Sequence, residues 1–209
     1  MRAFIYTGGF VAADGITDHP EEGDLVIAAD SGYKTAARLD VKVQIALGDF
    51  DSFPLEDVDR DVECITVPAE KDFTDTQMAV DLALSRGADF LFIIGGLSGR
   101  LDHTLSNLGI LEDLEKRDVR AVLCDGINRV RLIRSTGELI PRSGYTYFSL
   151  LAADEVVKGV TVEGGKYPLK NATLRRSHQF AVSNEIAKNC ALITVKKGRL
   201  FIIESRDPA

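Results

Sequence analysis

No stretch of this 209-residue chain is apolar over the ~20 residues that a membrane-crossing helix needs. The opening, MRAFIYTGGFVAADG, carries one basic residue and an apolar stretch too short for a secretion signal, with acid close behind. The three cysteines, Cys64, Cys124 and Cys190, are widely spaced and odd in number. They form neither CxxC nor a zinc spacing, so they are expected to be reduced, buried thiols in a cytoplasmic protein. Basic residues are also short, and the net charge is −7. That argues against the basic face of a nucleic-acid-binding domain, but not against a nucleotide held through metal ions. Internal repeats and low-complexity tracts are missing as well.

What is present is ordinary for a folded domain: 45% hydrophobic and 27% charged residues. Over the first ~125 residues, apolar runs alternate with helix-like segments. The runs are AFIYTGG, DLVIAAD, VQIALGD, ECITVP, DFLFIIGG and VRAVLCDG. TDTQMAVDLALSRG opens with Thr74 and Gln77 in capping-box spacing and closes on Arg86 and Gly87. A second helix is expected from Leu101 to Lys116, with Leu101, Leu105, Leu108, Leu111 and Leu114 as its apolar stripe, and a shorter one at SGYKTAARLD. Strands alternating with helices imply a parallel sheet covered on both faces. From about Arg129 the helical period is lost. RVRLI, GELIPR, YTYFSLLAA, GVTVEGG, ALITVKKG and RLFIIES read as strands of an antiparallel β-sandwich. The expected domains are therefore 1–128, an α/β domain, and 129–209, a β-sandwich.

Ligands of open parallel sheets bind at the carboxyl ends of the strands. There this sequence places acid: Asp30, then Asp49 and Asp51 in GDFDS, then Asp72 and Asp75, then Asp102 beside Arg100 and His103. On an extended strand Asp49 and Asp51 would face the same way, with Cα atoms roughly 7 Å apart. Each acid has a simpler reading as a helix cap or turn residue. Together, carboxylates converging on one edge repel unless a cation relieves them. Oxygen donors without nearby cysteine suit magnesium. The stretch GGLSGRLDHTLSNL offers glycines and a helix N-terminus for phosphate, with Arg100 beside it and His103 and Asn107 one turn apart. Lys71 is a further phosphate contact or one half of an ion pair.

AADSG (28–32), GDFDS (48–52), KDFTDTQ (71–77), GGLSGRLDHTLSNL (95–108), YPLKNATL (167–174) and VSNE (182–185) resemble, in order and spacing, the bacterial thiamine pyrophosphokinase family. The resemblance implies a Rossmann-like N-terminal domain, a C-terminal β-sandwich and a homodimer with active sites at the subunit interface. It implies a magnesium-dependent transfer of the β,γ-diphosphate of ATP to thiamine. It implies catalytic and metal roles for Asp49, Asp51 and Asp75. Asp30, Lys71, Asp72, Thr74, Arg100, Asp102, His103 and Asn107 then serve the nucleotide, and Ser183 and Asn184 the thiamine. Animal members carry an aromatic shortly after that serine; VSNEIAKN has none, and Phe180 is a candidate in its place. Two other readings stay open from the residues: an aspartyl-phosphate phosphatase, and a thiamine- or nucleotide-binding sensor without turnover.

Overall fold

The computed structural model describes residues 1–50, 54–68 and 72–207, so Asp51 and Lys71 lie outside the described residues. Two compact units divide the chain, Met1–Gly126 and Ile127–Ala209.

The first unit is built on six parallel strands: β1 (Arg2–Tyr6), β2 (Leu25–Ala29), β3 (Ile45–Gly48), β4 (Glu63–Thr66), β5 (Phe90–Ile94) and β6 (Arg120–Cys124). Their order is β4-β3-β2-β1-β5-β6. The chain thus builds outward from β1 to β4, then returns to lay β5 against the other side of β1, with Phe4 opposite Phe92. Those two rings stack at 4.6 Å. The order reverses between β1 and β5, and it is outside such a reversal that an open α/β sheet leaves a crevice. β1, β2 and β3 are buried along nearly their whole length, as expected of strands covered on both faces.

Among the described residues, three α-helices connect the strands: α1 (Gly32–Arg38), α2 (Asp75–Ser85) and α3 (Leu101–Lys116). Thr74 caps α2, its hydroxyl accepting the Gln77 N–H at 3.2 Å, which satisfies one of the free donors of the first turn. The expected leucine stripe of α3 holds only at its C-terminal half. Leu111 and Leu114 are buried with Ile110, but Leu101 is 69% exposed and Leu105 59%. The first turns of α3 instead bury Asn107.

The second unit holds β7 (Asn128–Arg134), β8 (Gly137–Pro141), β9 (Tyr147–Ala152), β10 (Val156–Glu163), β11 (Leu169–Arg175), β12 (Cys190–Thr194) and β13 (Arg199–Ser205). β13 pairs antiparallel with β7 and β9. The other four form an antiparallel sheet in the order β11-β10-β12-β8. Phe148, Leu150, Leu200 and Ile202 meet Val157, Val160, Leu174 and Ile193 in one apolar layer, so the two groups of strands make a sandwich. β11 is an addition to the strands expected. Its LKNATLR sequence lacks a clean alternation, Asn171 sits at a positive φ of 51°, and its pairing with β10 shifts register twice.

The cysteine expectation holds in part. All three are free thiols, but only Cys124 is buried, and Cys64 is exposed on β4. No helix of the described residues is long and apolar enough to cross a membrane.

Candidate functional site

A cleft of about 410 Å³ opens where the ends of β1, β2 and β5 meet the starts of α2 and α3. Four loops build it, each released by a strand that stops.

After β1 come Thr7, Gly8 and Gly9, and after β5 come Gly95 and Gly96. The Thr7 N–H donates to the Ile94 carbonyl at 2.9 Å, keeping the two loops side by side beyond the last sheet pair. Gly96 has a φ of 74°, and a Cβ there would lie 2.4 Å from the Asn107 amide nitrogen. That nitrogen donates to the Gly96 carbonyl at 2.9 Å. Asn107 is thus a buried brace spent on shaping the glycine loop.

After β2 the chain turns sharply at Asp30, whose φ of 49° is unusual for a residue with a side chain. Its N–H donates to the Leu47 carbonyl at 2.7 Å, and its carbonyl accepts from Tyr33 at 3.2 Å, so its backbone is fixed from both sides. Its Oδ1 is buried with no hydrogen-bond partner, although Asp30 lines the cleft. Leaving a carboxylate oxygen dry and unpaired is costly unless a cation or donor arrives.

β3 ends at Gly48, so Asp49 and Phe50 lie past the strand rather than on it. Phe50 takes a positive φ of 58° and turns its ring against the core of the first unit. Asp49 therefore lies beyond the regular alternation of β3, just before a left-handed residue. Asp49 is half-buried. At the start of α2, Thr74 and Asp75 line the cleft, whereas Asp72 is exposed and does not.

α3 presents its N-terminus, and Arg100, His103 and Asn107 line the cleft. Arg100 and Asp102 are joined by Nε–Oδ1 and Nη2–Oδ2 contacts of 3.2 and 2.6 Å. The guanidinium bond holds the Asp102 carboxyl below its ordinary range. Asp102 also accepts the His103 N–H at 3.0 Å. Both partners are largely exposed, so the pair is weak and an incoming anion can draw Arg100 away at small cost. Asp102, His103 and Asn107 share a smaller hollow of about 170 Å³ with Thr74, Thr76 and Ser106.

The expected gathering of carboxylates is looser than the sequence suggests. Among the described residues, no three acidic, histidine or cysteine side chains approach closely enough to hold a metal. Asp102 is paired with Arg100, and Asp72 is exposed and not part of the cleft wall. Asp30, with its unpaired oxygen, and Asp75 remain on the cleft wall, while Asp49 stands one strand over from Asp30.

In the second unit Ser183 has a φ of 55°, and its N–H donates to Ser149 Oγ at 3.0 Å. Asn184 is buried. Its amide nitrogen donates to the Tyr167 carbonyl at 2.8 Å, while its oxygen accepts the Tyr167 and Glu185 N–H groups at 3.0 and 2.9 Å. That side chain clamps the chain to itself. Phe180 is half exposed, 6.1 Å from His178.

Sequence reasoning missed Thr7, Gly8, Gly9 and Ser98. The signal was there: TGG after the first strand mirrors IGG after the fifth.

Comparison with known proteins gives a consistent result. A family model described as thiamin pyrophosphokinase, catalytic domain, matches residues 18–123, and one for its vitamin B1 binding domain matches residues 138–200. The Bacillus subtilis thiamine pyrophosphokinase is 29% identical over 197 residues, covering 92% of each chain. A crystal structure of the Bacillus subtilis enzyme superposes with a TM-score of 0.89 at 27% identity over the whole of both chains. An Enterococcus faecalis thiamin pyrophosphokinase family protein gives 0.85 at 31%, again over the whole of both.

Proposed function

The chain belongs to the thiamin pyrophosphokinase family, and from that premise we propose that the cleft beside β1, β2 and β5 is where the diphosphate of ATP passes to thiamine. The enzyme class and the substrates ATP and thiamine follow from the family. The assignment of residues is our own. The observation that carries it is the buried, unpartnered Oδ1 of Asp30 opposite two glycine loops in one cleft.

Diphosphate transfer of this kind needs the primary hydroxyl of thiamine to attack the β-phosphorus of ATP, with AMP leaving. Charge spreads over phosphoryl oxygens, so catalysis is chiefly positioning and electrostatic stabilisation. Backbone N–H groups of Gly8, Gly9 and Gly96, with the N-terminus of α3, suit the phosphates. Arg100 exchanges Asp102 for a phosphate oxygen, and His103 lines the same wall. Lys71, outside the described residues, and Asp72, exposed beyond the cleft wall, are assigned to the nucleotide. Asp49, Asp51 and Asp75 would hold magnesium, with Asp30 and its unpartnered Oδ1 beside them; a donor set of carboxylates fits that hard ion. When bound, magnesium supplies charge neutralisation across the phosphates. The same acids draw in thiamine, whose thiazolium ring is cationic. Ser183 and Asn184 belong to the thiamine side, Asn184 by shaping the backbone there. The working form is a homodimer with shared sites.

A product assay tests this. Purified protein with ATP, magnesium and thiamine is expected to release AMP and thiamine diphosphate in equal amounts, and EDTA to stop it. ADP with thiamine monophosphate would move the attack to the γ-phosphorus and overturn the mechanism. Thiamine binding without turnover would leave only a sensor.

A further inference from the structure

Phe10 directly follows Gly9, a residue of the cleft wall, and is 56% exposed. A lone exposed aromatic means little by itself. This one stands on an unusually fixed mount. Its N–H donates to Ser98 Oγ at 2.9 Å, and the same hydroxyl donates to its carbonyl at 3.3 Å. One serine thus holds both backbone groups of Phe10, as a hydroxyl with one proton and two lone pairs can. Gly9 next to it has a φ of 106°, and a Cβ there would come within 3.0 Å of Ser98 Oγ, so the close approach requires glycine. Its carbonyl accepts from Arg38 at 3.4 Å. Two residues further on, the Ala12 N–H donates to the Asp125 carbonyl at 2.8 Å. The backbone is tied on each side of Phe10 while the ring is left open. Gly9 and Ser98, the two residues that carry the mount, both line the cleft.

We infer that Phe10 is the platform on which the purine ring of the nucleotide stacks, and that Ser98 is its positioning residue. The inference rests on the reading of the cleft as the nucleotide site. With phosphates on the glycine loops, the sugar and base continue outward past Gly9, and Phe10 is the next residue of that loop, its backbone held by Ser98. A purine has a π-face that covers such a ring whatever its edge groups, so the platform gives affinity for bases in general and little choice between adenine and guanine.

The test separates base from phosphate by using inorganic tripolyphosphate, which carries the charge but no ring. Phe10→Leu is expected to raise the KM for ATP about thirtyfold, the middle of the range for losing one stacked base. The kcat, the KM for thiamine and inhibition by tripolyphosphate stay within about twofold of wild type on the same reasoning. Phe10→Tyr keeps the ring and restores the KM. Ser98→Ala shifts the KM for ATP in the same direction by less, because the ring remains but its mount is looser. Since the chain has no tryptophan, Phe10→Trp installs a single tryptophan whose emission reads nucleotide binding without turnover. ATP is expected to quench it and tripolyphosphate to leave it unchanged. A Phe10→Leu protein that loses ATP and tripolyphosphate equally would make Phe10 a prop for the phosphate loop, and one with an unaltered KM would give it no role; either overturns the proposal. If wild type makes no product while ATP still quenches the tryptophan, the platform stands and the catalytic reading fails. If neither ATP nor tripolyphosphate binds, the nucleotide reading of the cleft falls and takes the platform with it.

Discussion

The side-chain amide of Asn107 donates to the carbonyl of Gly96 at 2.9 Å, tying α3 to the loop that leaves β5. Asn107 is buried and the bond is made in a position where a Cβ on Gly96 would collide with it. Asn107→Leu removes the donor and strands the carbonyl, which costs about 1–3 kcal/mol. Urea unfolding followed by circular dichroism measures the loss. Activity is expected to fall further than stability, because the glycine loop loses its shape, and an activity that tracks stability alone would argue against the brace.

Asp30→Asn should separate stability from function. Its Oδ1 is buried without a partner, so removing the charge is expected to raise the melting temperature of the protein stripped of divalent ions. The same change should reduce turnover by orders of magnitude and abolish the extra thermal stability conferred by magnesium with ATP. Thermal melts of both proteins, with and without magnesium-ATP, check all three. A magnesium-dependent shift that survives in Asp30→Asn would remove this residue from the acidic wall.

Thr74 accepts the Gln77 N–H at the start of α2. Thr74→Ala is expected to cost about 1 kcal/mol of unfolding free energy, the usual value of such a cap. Thr74→Ser, which keeps the hydroxyl, should recover most of it in the same denaturant titration.

Arg2 grips Asp24 through Nε–Oδ1 and Nη2–Oδ2 contacts of 3.0 and 2.5 Å, and Asp24 also accepts the Glu21 N–H at 2.8 Å. The Arg2 bond holds the Asp24 carboxyl below its ordinary value. A carboxyl with a lower pKa in the folded than in the unfolded state stabilises folding above the unfolded pKa. That support is lost as the pH falls through the folded value. Asp24→Asn should therefore lower stability at pH 7 by about 1–3 kcal/mol and flatten the acid limb between roughly pH 5 and 2. Denaturation midpoints across that interval decide it.

Tyr6 is fully buried on β1, and its hydroxyl has no hydrogen-bond partner. Burial pushes its pKa up, so it stays neutral throughout the accessible range. Tyr6→Phe removes the dry hydroxyl and keeps the ring. The variant is expected to be as stable as wild type or more so by up to about 1 kcal/mol. A clear loss in calorimetry would mean that the hydroxyl is satisfied in solution.

Much of this was legible because burial on both faces writes parallel strands as unbroken apolar runs. DLVIAAD and DFLFIIGG could hardly be anything else. β11 was hidden because LKNATLR buries few of its side chains and leaves the regular pairing at Asn171. The leucines of α3 misled because a stripe at helical spacing does not say where the neighbouring element ends; Leu101 and Leu105 keep the period but have nothing packed over them. At the site, Asp30 of AADSG was legible by type and position and does line the cleft, whereas Asp49 of GDFDS stands outside its wall. The brace of Asn107, the mount made by Ser98 and the clamp of Asn184 did not, since each depends on a backbone group distant in sequence.

The reversal of strand order between β1 and β5 also bears on how the protein is made. Thr7 and Ile94, and Phe10 and Ser98, meet across separations of 87 and 88 residues. The two glycine loops come together only after β5 has been synthesised and has found β1, a contact whose loop-closure entropy is met late and slowly. Until then a nascent chain has the aspartates of AADSG and GDFDS but no cradle. On the proposed reading of the cleft, nucleotide capture reports completion of the sheet, and ATP present during refolding is expected to hold the first and fifth strands together once they meet rather than to hasten their meeting.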